Sequence, residues 1–158
     1  MASPPKTPLL SLALTVLLGL PLTGAAAEAP DPETWFVETY GGLWLEAPWD
    51  QAEAIMSHYT EQVISREPGA APETVPTREW IGPLFGQWRD EGWLSAEVVA
   101  IQTDRLNANT AVFKARWKDV YTDGSEAFSC GWYLADLVDG AWKNSEYTSI
   151  DCADHGLD

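Results

Sequence analysis

The stretch that decides the fold is residues 110–150, TAVFKARWKDVYTDGSEAFSCGWYLADLVDGAWKNSEYTSI. Two Asp-Gly pairs, Asp123-Gly124 and Asp139-Gly140, divide it into three segments, and such pairs favour tight hairpin turns. Within the first segment apolar side chains alternate with basic ones, which is typical of a strand with one buried face. The stretch therefore predicts antiparallel strands over residues 110–121, 126–137 and 141–150, preceded by a weaker strand over 94–103.

Two-residue loops at both turns would determine which side chains share a face of this meander. They would place Trp117 opposite Cys130, and Trp132 opposite Tyr147. The apolar face of that register carries Phe113, Ala115, Trp117, Phe128, Cys130, Trp132, Leu134 and Tyr147. The polar face carries Lys114, Arg116, Lys118, Tyr133, Glu146 and Thr148. We expect the first face to line a core or pocket and the second to meet solvent.

In the part of the chain before this stretch, apolar residues recur at helical spacing. Asp31-Pro32-Glu33 predicts a capped helix start, followed by an apolar stripe made of Trp35, Phe36, Tyr40, Leu43 and Trp44. A second helix is predicted from Asp50, with Ile55, Met56 and Tyr59 facing inward, and Val63-Ile64 predicts a short strand. A proline-rich loop over 66–76 leads to a third helix capped by Thr77, whose inward stripe is Trp80, Ile81, Leu84, Phe85 and Trp88. Pro83 requires that helix to start late or to kink.

Composition limits the classes of function. The chain has 158 residues, a formal net charge of −15 and a hydrophobic share of 46%, enough for one domain with a proper core. Wholesale disorder is excluded by that apolar content. Like-charge repulsion argues against non-specific binding to nucleic acid or anionic membranes. Two His and two Cys are too few for a zinc finger or a disulfide-dense fold, and we expect neither a metal nor a cofactor.

The N-terminus predicts export. Residues 9–22, LLSLALTVLLGLPL, match the apolar core of a signal peptide, and Ala25-Ala26-Ala27 offers a cleavage site. An uncleaved membrane anchor is the alternative, although the run is shorter than a membrane span. We therefore expect a signal peptide over 1–27 and a single periplasmic or secreted domain over 28–158. That domain would have no membrane span and a flexible tail at 151–158.

The two cysteines have two interpretations. In an oxidising compartment Cys130 and Cys152 would pair, and closing a loop of this length stabilises a domain by about 3 kcal/mol. The alternative is two buried thiols. Two-residue turns point the cysteines to opposite faces, whereas a one-residue bulge at the second turn would bring them together diagonally.

Helices followed by a meander of long strands resemble the nuclear transport factor 2-like superfamily. The segments that carry the likeness are residues 35–45, Trp49-Asp50, HYTEQVISREP at 58–68 and DLVDGAWKNSEYTS at 136–149. The superfamily includes SnoaL-like cyclases, steroid delta-isomerases and scytalone dehydratase as well as non-catalytic modules. The resemblance implies an α+β fold, a cone-shaped barrel of one strongly bent antiparallel sheet packed on three N-terminal helices. It also implies a pocket open at one end and a homodimer formed through the sheet.

The resemblance also suggests catalytic residues. Glu67 falls where steroid delta-isomerases have their carboxylate base, and Tyr40 lies on the first helix, where that family has an oxyanion-hole tyrosine. The late-strand acid of the family falls near Gly131 or Trp132, and neither of these ionises. His58 is the histidine within the fold that could act as in the cyclases and dehydratases. The alternatives are that Glu67 is a solvated loop acid and that His58 is a surface residue of a helix.

Two hypotheses of function follow. The first is a binding or interaction module for a small apolar or aromatic ligand, without an assembled catalytic set. Its predicted ligand-binding residues are Tyr40, Trp44, Tyr59, Trp88, Phe113, Trp117, Trp132 and Tyr147, some of which could instead only fill the core. The second is a cofactor-independent isomerase, dehydratase or cyclase that uses Glu67, Tyr40 and His58.

Overall fold

Apolar and polar residues alternate in the C-terminal half of the chain, and this half forms long strands. The helices that precede these strands cover one face of the sheet. The computed structural model describes residues 29–66 and 69–157. The strands are β1 (Tyr59–Arg66), β2 (Glu73–Pro76), β3 (Trp93–Asn107), β4 (Thr110–Tyr121), β5 (Glu126–Val138) and β6 (Ala141–Ser149). The predicted meander is therefore confirmed, and the α+β class with it. The structure differs from the prediction mainly in the register of the first hairpin and in the strands that precede the meander.

The six strands form one sheet in the order β2-β1-β6-β5-β4-β3. Strand β1 pairs with β6 in parallel, and every other pair is antiparallel. The expected cone-like α+β fold, one sheet packed on N-terminal helices, is therefore confirmed. It departs from the expectation in two details, since the parallel β1–β6 pair makes the sheet mixed and the edge strands β2 and β3 leave it open. The expected loop over 66–76 contains β2, and the strand expected at Val63-Ile64 is the longer β1.

The first hairpin has a three-residue turn, and this shifts its register by one position. Tyr121 and Ser125 close the turn through a hydrogen bond from the Tyr121 amide to the Ser125 carbonyl, 3.0 Å long. Gly124 has a φ of 80°, the left-handed conformation that three-residue hairpin loops place at their last position. Phe113 consequently pairs with Tyr133, and Trp117 pairs with Ser129. The predicted pairing of Trp117 with Cys130 is wrong.

That one-residue shift exchanges the two faces of β5, because the side-chain period of a strand is two. Tyr133 lies on the inner face with Phe113 and is 5% exposed, although the sequence placed it on the solvent face. Trp132 pairs with Lys114 and belongs to the outer face, as do the other members of its alternation, Phe128, Cys130 and Leu134. Lys114, Arg116 and Lys118 stay on that outer face, as predicted.

The second turn has the predicted two residues. Val138 pairs with Ala141, and Asp139 and Gly140 both have positive φ, at 51° and 80°, as a type I′ turn requires. A bulge then shifts the register between Ala135 and Leu134. The bulge lies within β6 rather than at the turn, and it places Tyr147 opposite Tyr133 on the inner face.

The first helical segment is continuous but changes type along its length. Asp31 caps α1 (Pro32–Thr34) by accepting hydrogen bonds from the Glu33 and Thr34 amides, as predicted. A π-helical stretch, Trp35–Tyr40, and a 3₁₀ turn, Gly41–Trp44, follow directly. Wider helices are rare and occur often at functional sites. This one brings Trp35, Phe36 and Tyr40 into the core, each at most 3% exposed.

The second and third helices are short. The second consists of a 3₁₀ turn, Pro48–Gln51, and α2 (Ala52–Ser57), so Tyr59 starts a strand instead of ending this helix. The third is split into α3 (Thr77–Trp80) and α4 (Gly82–Asp90), which confirms the kink expected from Pro83. Thr77 does not cap α3 with its side chain; its hydroxyl donates to the Thr60 carbonyl at 2.5 Å.

A disulfide joins Cys130 and Cys152, with Cα atoms 5.4 Å apart. It holds the C-terminal segment against the outer face of β5. Past it lie a 3₁₀ turn, Ala153–His155, and Leu157, which is 3% exposed. The Gln102 side chain also donates to the His155 carbonyl at 3.1 Å. The described part of the segment that we expected to be flexible is therefore attached at three points. Among the described residues no helix is long and apolar enough to cross a membrane.

Gly131 allows Tyr133 to fold back along the inner face. A Cβ atom at residue 131 would lie 2.7–2.9 Å from two ring carbons and the hydroxyl oxygen of Tyr133. We expect Gly131→Ala to lower the free energy of unfolding by about 1–3 kcal/mol, because overpacking displaces a buried ring. Urea titration of the purified protein measures this change.

Gly86→Ala is the matched control for Gly131→Ala. Gly86 lies within α4, and a Cβ atom there would meet nothing within 4 Å. Alanine in a helix interior is favoured over glycine by about 1 kcal/mol, so this variant should be neutral or more stable. Equal stability of the Gly131→Ala variant and the wild type would contradict the position given for the Tyr133 ring.

Candidate functional site

A cavity of about 390 Å³ lies between the inner face of the sheet and the helices. Its volume falls in the range of small-molecule sites. Ten aromatic residues line it: Tyr40, Trp44, Tyr59, Trp80, Trp88, Trp93, Trp117, Tyr121, Tyr133 and Tyr147. The remaining lining residues are Ile81, Leu84, Glu91, Ala96, Asp119, Ser129, Cys130, Gly131 and Ser149.

Four tyrosines form one group in the wall, which we call the tyrosine group: Tyr40, Tyr59, Tyr133 and Tyr147. The hydroxyls of Tyr40 and Tyr59 are hydrogen-bonded at 2.5 Å. The rings of Tyr133 and Tyr147 are 5.1 Å apart across the β5–β6 pair, and those of Tyr40 and Tyr133 are 6.2 Å apart. The first helical segment and three strands, β1, β5 and β6, therefore converge on this part of the cavity.

Burial controls the ionisation of these tyrosines. Loss of hydration raises the pKa of Tyr40 well above its ordinary value of 10.0, and the neighbouring Tyr59 and Tyr133 raise it further. Burial likewise raises the pKa of Tyr59 and of Tyr133. Near neutral pH these hydroxyls are therefore neutral groups that donate and accept hydrogen bonds.

Four tryptophans form a second group, the tryptophan group: Trp44, Trp88, Trp93 and Trp117. The ring centroids of Trp88 and Trp93 are 5.3 Å apart. Trp44 lies between the other members, with its centroid 6.0 to 6.1 Å from each of them. These residues come from the first helical segment, α4, β3 and β4, so the group depends on contacts between distant parts of the chain.

A carboxylate adjoins the tryptophan group. The indole N–H of Trp93 donates to Oδ1 of Asp119 at 3.0 Å, and the Ser129 hydroxyl donates to Oδ2 at 2.8 Å. These two hydrogen bonds fix the orientation of the carboxylate on the inner face of β4. Glu91, just past α4, also lines the cavity. Both acids act on Tyr121, whose pKa is raised by burial and by the charges of Asp119 and Glu91.

The predicted ligand-binding residues divide into two sets. Six line the cavity, namely Tyr40, Trp44, Tyr59, Trp88, Trp117 and Tyr147. Phe113 does not, because it is fully buried below the cavity with its ring 4.5 Å from that of Phe36. Trp132 does not, because the hairpin register places it on the outer face. Whether the six bind a ligand stays a prediction.

Sequence reasoning missed Tyr133, Trp93 and Asp119, which also line the cavity. Tyr133 was missed through the register shift. Trp93 was missed because the predicted strand began one residue after it. Asp119 continues the inward alternation of Ala115 and Trp117 along β4, so the pattern in the sequence could have identified it.

The structure describes two of the three catalytic candidates, and of these two only Tyr40 lines the cavity. Glu67 lies outside the described residues. Tyr40 is in the cavity wall. His58 is half-buried against the rings of Trp35 and Tyr40, at 5.9 and 6.2 Å, and is not among the residues that line the cavity. Burial, with the charge of Lys143, lowers the pKa of His58, so its imidazole is neutral at neutral pH.

Metal ligands are not grouped in the described part of the chain. Over residues 29–66 and 69–157, no three His, Cys, Asp or Glu side chains lie close enough together to hold a metal ion.

Comparisons with known proteins identify the fold. No family model and no curated protein matches the sequence. The structure is similar to a nuclear transport factor 2-like protein of unknown function from Shewanella oneidensis, with a TM-score of 0.57 and 15% identity over 75% of this chain and 96% of that one. It is also similar to a proposed polyketide cyclase from Xanthomonas campestris, with a TM-score of 0.52 and 16% identity over 78% and 93% of the two chains.

A proposed scytalone dehydratase from Novosphingobium aromaticivorans is a third similar structure, with a TM-score of 0.52 and 12% identity over 71% of this chain and 77% of that one. All three likenesses concern the fold, which is the nuclear transport factor 2-like fold that the sequence predicted.

The tyrosine group gives the protein a characteristic alkaline titration. The chain has five tyrosines, and burial raises the pKa of at least Tyr40, Tyr59 and Tyr133. Absorbance of phenolate at 295 nm in the folded protein should therefore reach much less than the five-tyrosine value at pH 10.5. The unfolded protein in denaturant should titrate fully, with a midpoint near 10.

The free energy of unfolding should depend on pH through the same tyrosines. Because the folded-state pKa values lie above the unfolded ones, the stabilising contribution is complete below about pH 10 and is lost as the pH rises above it. Tyr133→Phe is the control for the absorbance titration. Because burial raises the pKa of Tyr133, its removal should leave the 295 nm titration curve of the folded protein near pH 10 unchanged. Full ionisation of five tyrosines near pH 10, with native circular dichroism retained, would contradict the burial of the group.

Proposed function

We propose that this protein is an exported small-molecule binding protein that holds an apolar or aromatic ligand in the cavity. The observation that carries the proposal is the wall of ten aromatic side chains around about 390 Å³. Aromatic rings provide large apolar contact area with few rotatable bonds, so they hold a ligand at low entropic cost. A fully packed core of the same rings would leave less space between them.

The chemistry of the wall supports binding more than turnover. Proton-transfer catalysis needs a base and a hydrogen-bond donor that converge on one point. Tyr40 and Tyr59 supply donors, but among the described residues no carboxylate or imidazole is hydrogen-bonded to either hydroxyl. The Asp119 carboxylate is instead directed to Trp93 and Ser129.

A proton-transfer enzyme is the second candidate, and the Tyr40–Tyr59 pair favours it. Two neutral hydroxyls in an apolar wall could stabilise a developing oxyanion. The proposed cyclase and the proposed dehydratase with similar folds have names of this reaction class. Of the two bases that the resemblance suggests, Glu67 is the one proposed for this role, since His58 does not line the cavity.

Two further parts of the proposal concern the setting of the protein. Export is supported by the disulfide between Cys130 and Cys152, since disulfides persist in oxidising compartments. Sequencing the N-terminus of the protein recovered outside the cytoplasm should give a start after Ala27, and a start at Met1 would overturn cleavage.

A homodimer through the outer face, where Phe128 is 51% exposed, is proposed as well, and light scattering of the purified protein measures it.

The binding proposal predicts stabilisation by neutral aromatic compounds. Indole and 2-naphthol, used as probes, should raise the melting temperature of the purified protein in proportion to the logarithm of their concentration. Trp117→Phe should weaken binding about fivefold, because an aromatic contact is worth roughly 1 kcal/mol beyond its buried area.

The control is Trp132→Phe, which makes the same substitution on the outer face of the sheet, outside the cavity. Absence of any shift with both probes would overturn the binding proposal. Equal weakening by Trp132→Phe and Trp117→Phe would show that binding takes place elsewhere.

A further inference from the structure

We infer that the cavity selects an organic cation, a protonated or quaternary amine joined to an apolar or aromatic body. The inference rests on the proposed binding function and specifies the ligand class. It comes from the charge of the wall, the arrangement of the tryptophan group and the position of Asp119.

The charged residues of the cavity wall are both acidic. Asp119 and Glu91 line the cavity, and none of its lining residues in the described part of the chain is Lys, Arg or His. The ion pairs of the described residues involve other acids and leave Asp119 and Glu91 without a cation. The basic neighbours of Asp119 along β4 point to the opposite face, where Lys118 pairs with Glu126 at 3.2 Å.

Asp119 keeps unused capacity to accept hydrogen bonds. Each of its oxygens receives one donor, from Trp93 and from Ser129. An ionised carboxylate has about four acceptor positions, so half of them remain for a ligand. Because two donors already orient it, the carboxylate need not reorganise when a cation arrives.

The tryptophan group provides the second element of cation recognition. Trp93 joins the two elements, since its N–H holds Asp119 while its ring lies 5.3 Å from Trp88 and 6.0 Å from Trp44. The faces of indole rings attract ammonium groups, and tryptophan does so most strongly among the aromatic residues. A carboxylate beside a cluster of indoles therefore matches a cation that also carries apolar groups.

Other ligand classes fit the wall less well. An anion would meet two carboxylates without a compensating base. A neutral ligand that filled the cavity would remove water from the Asp119 carboxylate without supplying a positive charge to pair with it, and such desolvation of a charge costs free energy. A metal ion would find the described acids too dispersed, since no three ligating side chains are grouped. The net charge of −15 also steers cations towards the protein.

The test uses a matched pair of probes, benzyltrimethylammonium and neopentylbenzene, its uncharged carbon isostere. We expect the cation to bind the purified protein at least tenfold more tightly than the isostere, as measured by tryptophan fluorescence titration. Asp119→Asn should reduce the affinity for the cation about tenfold without reducing that for the isostere. Its amide oxygen can still accept a hydrogen bond from Trp93, which protects the fold.

Asp104→Asn is the control, since it removes the same charge from an exposed position on β3. Glu91→Gln at the cavity provides a second variant should Asp119→Asn fail to fold, with the same expected direction. Equal affinities for the two probes, or an unchanged affinity for the cation in the folded variants, would overturn this inference and leave the binding function intact. If neither probe binds, both the cation inference and the proposed binding function are overturned.

Discussion

The pairing of Phe113 with Tyr133 across the β4–β5 hairpin is the constraint on which the cavity depends. It brings Tyr133 into the wall and sends Trp132 to the outer face. Gly131 makes the arrangement possible, because any larger side chain at that position would meet the Tyr133 ring. The three-residue turn at 122–124 sets this register, so a feature at the end of the hairpin decides the chemistry in its middle.

Local chemistry was enough to predict most of the elements, although not β2. The bounds of β4 followed from alternation alone, and the capped start at Asp31 and the break at Pro83 followed from the residues concerned. The register of the first hairpin did not follow, because an Asp-Gly pair does not say whether Thr122 belongs to the strand or to the turn. The exchange of Tyr133 and Trp132 between faces was the direct consequence.

Contacts between distant segments were harder to predict. The parallel pairing of β1 with β6 and the bulge in β6 depend on how the whole sheet closes over the helices, and no short motif encodes them. For the site, six of eight predicted wall residues line the cavity because they belong to apolar stripes of correctly predicted elements. Asp119 was overlooked since an acid on an inward face contradicts a pattern based on hydrophobicity, and such exceptions are expected at functional sites.

The parallel pairing of β1 with β6 also has a consequence for the order of folding. The meander from β3 to β6 is built from neighbouring strands, whereas β1 reaches β6 through contacts such as that between Arg66 and Glu146, 80 positions apart in the chain. Closing such a long loop costs entropy before its contacts form, so this step is slow relative to hairpin formation. Tyr59, at the start of β1, joins Tyr40 only when that step is complete, so we expect a refolding chain to form the β3–β6 meander before the tyrosine side of the cavity wall.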